Sequence, residues 1–164
     1  MKTRRGLVLM TGLAALLLLA ACAAPASAAA SAGGEPIPAT WIDVYEAGDS
    51  VTVPLSLVQE KGNTHFSVTS SGTELDFMGY LLDDTLHVRA NVCPPCRSRG
   101  FTLDGDILVC DTCGTKFDAK DGGGISGPCV DYPKAAAAYK IVDGVVTITL
   151  SDLVSAFSQT LVAG

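Results

Sequence analysis

Five of the six cysteines in this 164-residue chain fall within one stretch, "NVCPPCRSRGFTLDGDILVCDTCGTKFDAKDGGGISGPC". Cys93 and Cys96 form one C-x-x-C pair, Cys110 and Cys113 form a second, and Cys129 closes the stretch. A C-x-x-C turn aims two sulfurs at one point, because its two intervening residues bend the chain around that point. The thirteen residues between the pairs contain Asp104-Gly105, a tight-turn signal, so a hairpin would bring the two turns face to face. Four sulfurs in a roughly tetrahedral array suit a zinc ion, a single iron or an iron–sulfur cluster. Thiolates also favour Cu(I), which leaves copper or iron handling by these loops as a weaker reading. Three other uses of cysteine compete: a purely structural disulfide framework, a thioredoxin-like redox pair, and a structural zinc ribbon. The thioredoxin motif opens a helix in a βαβ unit, and that pattern is missing here.

The elements that would hold these turns read as β. Short alternating runs occur at Ile42–Tyr45, Val51–Val58, His65–Thr69, Glu74–Leu82 and Leu86–Val92. Gly100–Leu103 and Asp106–Val109 flank the Asp104-Gly105 turn, and Asp143-Gly144 lies between two β-rich runs. The tail "SDLVSAFSQTLVAG" reads as a short helix with Ser151 as its N-cap, and "PKAAAAYK" as one helical turn. The expected fold is mostly β, an antiparallel sandwich or small barrel with a rubredoxin- or zinc-ribbon-like pair of cysteine loops at one end. Trp41 is expected to close the core edge or to mark the end of a tether. His65 and His87 read as surface or half-buried strand histidines outside any spaced ligand pair. Asp43, Glu46, Asp49, Asp83, Asp84, Asp104, Asp106, Asp118 and Asp121 are scattered through turns and read as solvated. No catalytic constellation, phosphate loop or dinucleotide fingerprint is present, so the chain reads as a carrier or binding module and not as an enzyme.

The N-terminus, "MKTRRGLVLMTGLAALLLLAAC", has the layout of an export signal: basic residues, an apolar run, then small residues before a cysteine. Leu19-Ala20-Ala21-Cys22 resembles a bacterial lipobox, which implies cleavage before Cys22 and acylation of that residue. On this reading residues 1–21 are a signal peptide and 22–40 a lipidated tether, rich in Ala, Ser, Pro and Gly. Residues 41–164 are then a single metal or iron–sulfur binding domain on the extracytoplasmic face of a bacterial cell membrane. The signal carries three of the 11 Lys and Arg and none of the 17 Asp and Glu, leaving 8 against 17 and a net charge of −9. That acidity argues against nucleic acid and against adhesion to anionic lipid.

"CDTCGTKFDAKDGGGISGPC" resembles the second cluster loop of Rieske proteins. By position, Cys110 matches the cysteine ligand and Cys113 stands where that family has histidine. Gly114, Thr115, Phe117 and Asp118 fit the following positions, and Ser126-Gly127-Pro128 fits the shielding proline turn. In the first loop Cys93 matches the cysteine of C-x-H, but the next ligand, Cys96, comes one residue later. The longer segment from "VTVPLSLVQEK" to "SGPCVDYP" resembles FtrD-like membrane iron–sulfur proteins, with their C-x-x-C, their "GD-x-L-V-C-x-x-C-G" run and a Gly-rich loop ending in cysteine. That resemblance implies an iron–sulfur group, [2Fe–2S] by the Rieske analogy, on Cys93, Cys96, Cys110 and Cys113. Cys129 would be an additional sulfur, an alternate ligand or an unreactive buried thiol. It further implies one-electron transfer to a membrane redox or iron-transport partner, with a link to iron uptake. Replacing the Rieske histidines by thiolates adds negative charge and lowers the expected potential.

Overall fold

The computed structural model describes residues 35–164; the expected export signal, the expected acylation site at Cys22 and most of the expected tether lie outside the described residues. Among the described residues, twelve strands build three four-stranded sheets. The strands are β1 (Thr40–Trp41), β2 (Tyr45–Ala47), β3 (Ser50–Pro54), β4 (Asn63–Ser70), β5 (Thr73–Leu82), β6 (Thr85–Ala90), β7 (Phe101–Asp104), β8 (Ile107–Cys110), β9 (Lys116–Asp118), β10 (Gly124–Ser126), β11 (Lys140–Val142) and β12 (Val145–Thr149). Two helices complete the set, α1 (Leu55–Lys61) and α2 (Leu150–Thr160). The sheet orders are β1-β4-β5-β6, β10-β9-β8-β7 and β11-β12-β3-β2, and none closes into a barrel. Every strand pair is antiparallel except β1 with β4. The mostly-β fold expected from the patterning is therefore the one seen, with its short C-terminal helix and without the closed barrel.

The β1-β4-β5-β6 sheet is the middle layer, and period-2 alternation gives it two different faces. Phe66, Val68, Phe77, Leu86, Val88 and Ala90 point to one side, into a core shared with Val51 and Val53 of β3, Val146 and Ile148 of β12, and Leu153 and Ala156 of α2. Register puts Phe66 opposite Phe77, and their rings stack at 5.7 Å. Each such large apolar side chain taken out of water contributes about 2 kcal/mol. The opposite face carries Asn63, His65, Asp76, Met78, Tyr80 and Arg89, and the β7–β10 sheet packs on it.

Turn chemistry agrees with the β reading. Asp143 and Gly144 both have positive φ (51° and 75°) in the two-residue turn between β11 and β12, where Val142 pairs with Val145. The β7–β8 turn falls one residue later than expected, at Gly105-Asp106, because Asp104 pairs with Ile107. Three further expectations are corrected. Val51–Val58 is not one strand: Pro54, with φ −62°, ends β3 and opens α1, and Gly62 at φ 72° closes that helix by donating its N–H to Val58 O. The N-cap of α2 is Thr149, not Ser151; its hydroxyl accepts from Asp152 N at 3.1 Å. The "PKAAAAYK" segment is not helical. It runs extended along the free edge of β6, with Ala90 N donating to Ala135 O and Ala137 N to Val88 O, so its backbone groups are already in use.

His65 is fully buried and so is neither a surface nor a half-buried histidine. Its Nδ1 lies 2.9 Å from Asn91 Nδ2, and the Trp41 ring stands perpendicular to it at 5.5 Å. Burial lowers its pKa to about 4, against the opposing fields of Asp111 and Asp76. Trp41 is half exposed at the end of β1, the parallel partner of β4, with the Arg99 guanidinium 5.7 Å from its ring centre.

Candidate metal centre

The two C-x-x-C turns have the same backbone. Arg97 N donates to Cys93 O at 2.7 Å and Cys93 N to Ser98 O at 3.0 Å. In the second turn Gly114 N donates to Cys110 O at 2.9 Å and Cys110 N to Thr115 O at 2.9 Å. The residue after each second cysteine carries positive φ, 59° at Arg97 and 70° at Gly114. Strands β7 and β8 then place Phe101 opposite Cys110, which sets the two turns against each other.

This arrangement brings one sulfur from each of Cys93, Cys96, Cys110 and Cys113 within 4.8 Å of the other three. All five described cysteines are free thiols, so the covalent framework considered from sequence is not formed. Cys96 Sγ and Cys110 Sγ are 3.7 Å apart, close to the edge of about 3.8 Å expected for a tetrahedron of thiolates 2.3 Å from one metal. The donor set therefore fits a thiolate-bound metal group. The two leading cysteines are buried, Cys93 at 0 % and Cys110 at 1 % exposure, while Cys96 and Cys113 reach the surface. The site has an inner and an outer half.

Cys129 stands outside the set of four but beside it, its Sγ 3.7 Å from that of Cys113. Thr115 links the two: its Oγ1 accepts from Cys129 N at 3.2 Å and lies 3.1 Å from Cys113 Sγ. The Thr115 hydroxyl proton is not engaged by Cys129 N and can be donated to a Cys113 thiolate. Burial pushes the Cys113 thiol up, but hydrogen bonds from Thr115 and from the Cys110 and Cys96 thiols outweigh it and bring the pKa to about 6. Burial raises Cys93, reinforced by hydrogen bonding to Cys96 and Cys129, and burial raises Cys110 as well.

The middle sheet grips this unit through its backbone carbonyls. Asn63 Nδ2 donates to Phe101 O at 2.9 Å and to Ile37 O at 3.1 Å. Asn91 Nδ2 donates to Arg99 O at 2.9 Å and the Tyr80 hydroxyl to Ala119 O at 2.6 Å. The buried Arg89 guanidinium donates to Lys134 O and Lys120 O, and to Tyr80 Oη at 3.0 Å. Sequence reading missed Asn63, Tyr80, Arg89, Asn91 and Lys134. The available signal was a polar residue at alternate positions of otherwise apolar strands, as in "HVRAN", and a lone lysine beside an alanine run. Among the described residues no helix is long and apolar enough to cross a membrane.

A chain of a solved complex of reduced oxygenase and oxidized ferredoxin in carbazole 1,9a-dioxygenase shares 23% identity, with a TM-score of 0.52; the match covers 63% of this chain and 95% of that one. That likeness is one of fold. A ferredoxin of Sphingomonas yanoikuyae B1 matches at 26% identity over 51% of this chain and 81% of its own, with a TM-score of 0.43. No curated protein matches the chain. The family described as membrane iron-sulfur containing protein, FtrD-like, matches residues 58–159, a span that includes both cysteine turns, Cys129 and Lys134. The chain belongs to the FtrD-like family of membrane iron–sulfur containing proteins.

Proposed function

We propose that Cys93, Cys96, Cys110 and Cys113 hold an iron–sulfur cluster of the [2Fe–2S] type, and that the protein passes single electrons to a partner at a bacterial membrane. The observation that carries this reading is the convergence of four reduced sulfurs, two buried and two at the surface, in a chain of an iron–sulfur family. Bound there, the cluster would supply a one-electron couple. The residues do the rest. The buried pair shields one side from water, and the Cys96–Cys113 edge gives a short path to a docked partner. The Thr115 hydroxyl and the turn N–H groups stabilise sulfur charge. Lipid attachment at Cys22 on the extracytoplasmic face, and service to a redox or iron-uptake partner, complete the proposal.

One observation favours a second reading. Four sulfurs all within 4.8 Å of one another surround a single ion more closely than they bracket two metal atoms, which spread their ligands into separate pairs. A zinc ion there would close the coordination shell and hold the two turns together as a structural module.

Anaerobic purification separates the two. A cluster gives visible absorption, iron and acid-labile sulfide in equal amounts, and loss of all three in Cys110→Ser. A colourless protein with one zinc per chain and no sulfide would refute the electron-transfer role and establish the second reading.

A further inference from the structure

Lys134 is fully buried. Its ammonium donates to Val92 O at 2.8 Å and otherwise faces aromatic rings, 4.4 Å from the centre of Phe117 and 5.3 Å from that of Phe101. Among the described residues no carboxylate pairs with it. A buried cation with a single hydrogen bond costs several kcal/mol unless an opposite charge lies near. Thiolates at the neighbouring cysteine site would supply one. Val92 precedes Cys93, Phe101 is the strand partner of Cys110, and both rings share a buried cluster with Cys93, Cys110 and Cys129. Burial lowers the Lys134 pKa, and the largest opposing fields come from Cys93, Cys110, Cys129 and Cys96.

We propose that Lys134 is a built-in counter-cation of the cysteine site, fixed behind its buried half to offset the negative charge of the metal-bound thiolates. The inference rests on those four cysteines binding a metal. Its position is not accidental to the fold: Lys134 N donates to Gly122 O at 2.8 Å, and its carbonyl accepts from Arg89 Nη1 at 2.8 Å. The side chain thus enters the core from a backbone held on both sides. Lys134 acts through the thiolates and touches no electron partner, so it is a positioning and tuning residue. A fixed positive charge in a dry site favours the thiolate over the thiol, which strengthens metal retention. It also favours the more negative, reduced state of a redox group held there.

The test uses the full chain, with Lys134→Met and Lys134→Arg, and two readouts. Co²⁺ affinity at pH 7, measured by competition with a chromophoric chelator, is expected to weaken at least tenfold in Lys134→Met, with unchanged stoichiometry. Iron-loaded Lys134→Met is expected to shift its electron-transfer equilibrium at least tenfold towards the oxidised form, a midpoint lower by about 59 mV. Lys134→Arg keeps the charge and should stay within about threefold of wild type in both, by the tenfold-per-charge scale just used. Wild type that binds metal while Lys134→Met matches it in affinity and midpoint overturns this inference alone. Wild type that takes up neither Co²⁺ nor iron overturns the metal site and the inference together. Should Lys134→Met fail to fold, ¹⁵N NMR of the lysine side chains in metal-loaded wild type decides. A three-proton ammonium at Lys134 at pH 8 is expected, and a neutral amine would overturn the proposal.

Discussion

Gly122 and Gly144 both have positive φ, +84° and +75°, yet replacing each by alanine should have very different consequences. Any alanine in the left-handed region loses about 1–2 kcal/mol from contact of its Cβ with the backbone. At Gly144, in the β11–β12 turn, nothing lies within 4 Å of the added carbon, so the loss stops there. At Gly122 the carbon would sit 2.2 Å from Lys134 O and 2.8 Å from Arg89 Nη1. Separations under 3.0 Å are essentially never seen, so the two segments must part by at least 0.8 Å. That movement stretches the 2.8 Å bond from Lys134 N to Gly122 O to about 3.6 Å, beyond hydrogen-bond range. It also breaks the Arg89 bond to Lys134 O. Two buried polar pairs lost at about 1–3 kcal/mol each bring the total for Gly122→Ala to about 3–8 kcal/mol. With a urea slope of about 2 kcal/mol/M, the excess of about 2–6 kcal/mol should separate the midpoints of Gly122→Ala and Gly144→Ala by about 1–3 M. Equilibrium urea unfolding of the metal-loaded variants measures this. Midpoints within about 0.5 M of each other, on that same slope, would refute the steric argument and with it the backbone clamp around Lys134.

Two other expectations can be checked on stability alone. His65 titrates near 6.5 unfolded but at about 4 folded, so the folded state binds fewer protons between those values and stability falls as pH drops from 6.5 towards 4. The full effect is about 3 kcal/mol, and it should appear as a shrinking stability advantage of wild type over His65→Gln between pH 7 and pH 4. An advantage that does not change with pH would contradict the buried neutral ring. Arg97 holds a left-handed conformation that its counterpart in the second turn gives to Gly114, and its side chain is exposed. Arg97→Gly should therefore stabilise the protein by about 0.5–1 kcal/mol and raise the melting temperature, whereas a lower one would show that the side chain has a partner.

The site was more legible in the sequence than its support was. C-x-x-C spacing is a local property, and the thirteen-residue gap carries its own turn, so Cys93, Cys96, Cys110 and Cys113 could be grouped before any tertiary structure was known. The β11–β12 hairpin was legible for the same reason, because Asp143-Gly144 specifies its backbone within two residues. The helix α1 was hidden by its composition: "LSLV" continues the apolar run of β3, and only the pair Pro54 and Gly62 marks its ends. "PKAAAAYK" misled in the opposite sense. Alanine favours helix locally, but the open edge of β6 offers that segment backbone partners that propensity does not register. His65, Asn91, Arg89 and Lys134 are polar residues whose burial depends on what arrives from 26 to 45 positions away, as their hydrogen bonds show. Strand alternation marks them as facing one way, but not as facing another sheet.

The middle sheet holds the cysteine unit by donating from Asn63, Tyr80, Arg89 and Asn91 to main-chain oxygens of the loops and short strands above it. Every residue type offers the same oxygen, so the grip is indifferent to what those loops spell. Divergent descendants could exchange one ligand for another, or retune the reactive end for a different metal, while the pedestal beneath stays as it is.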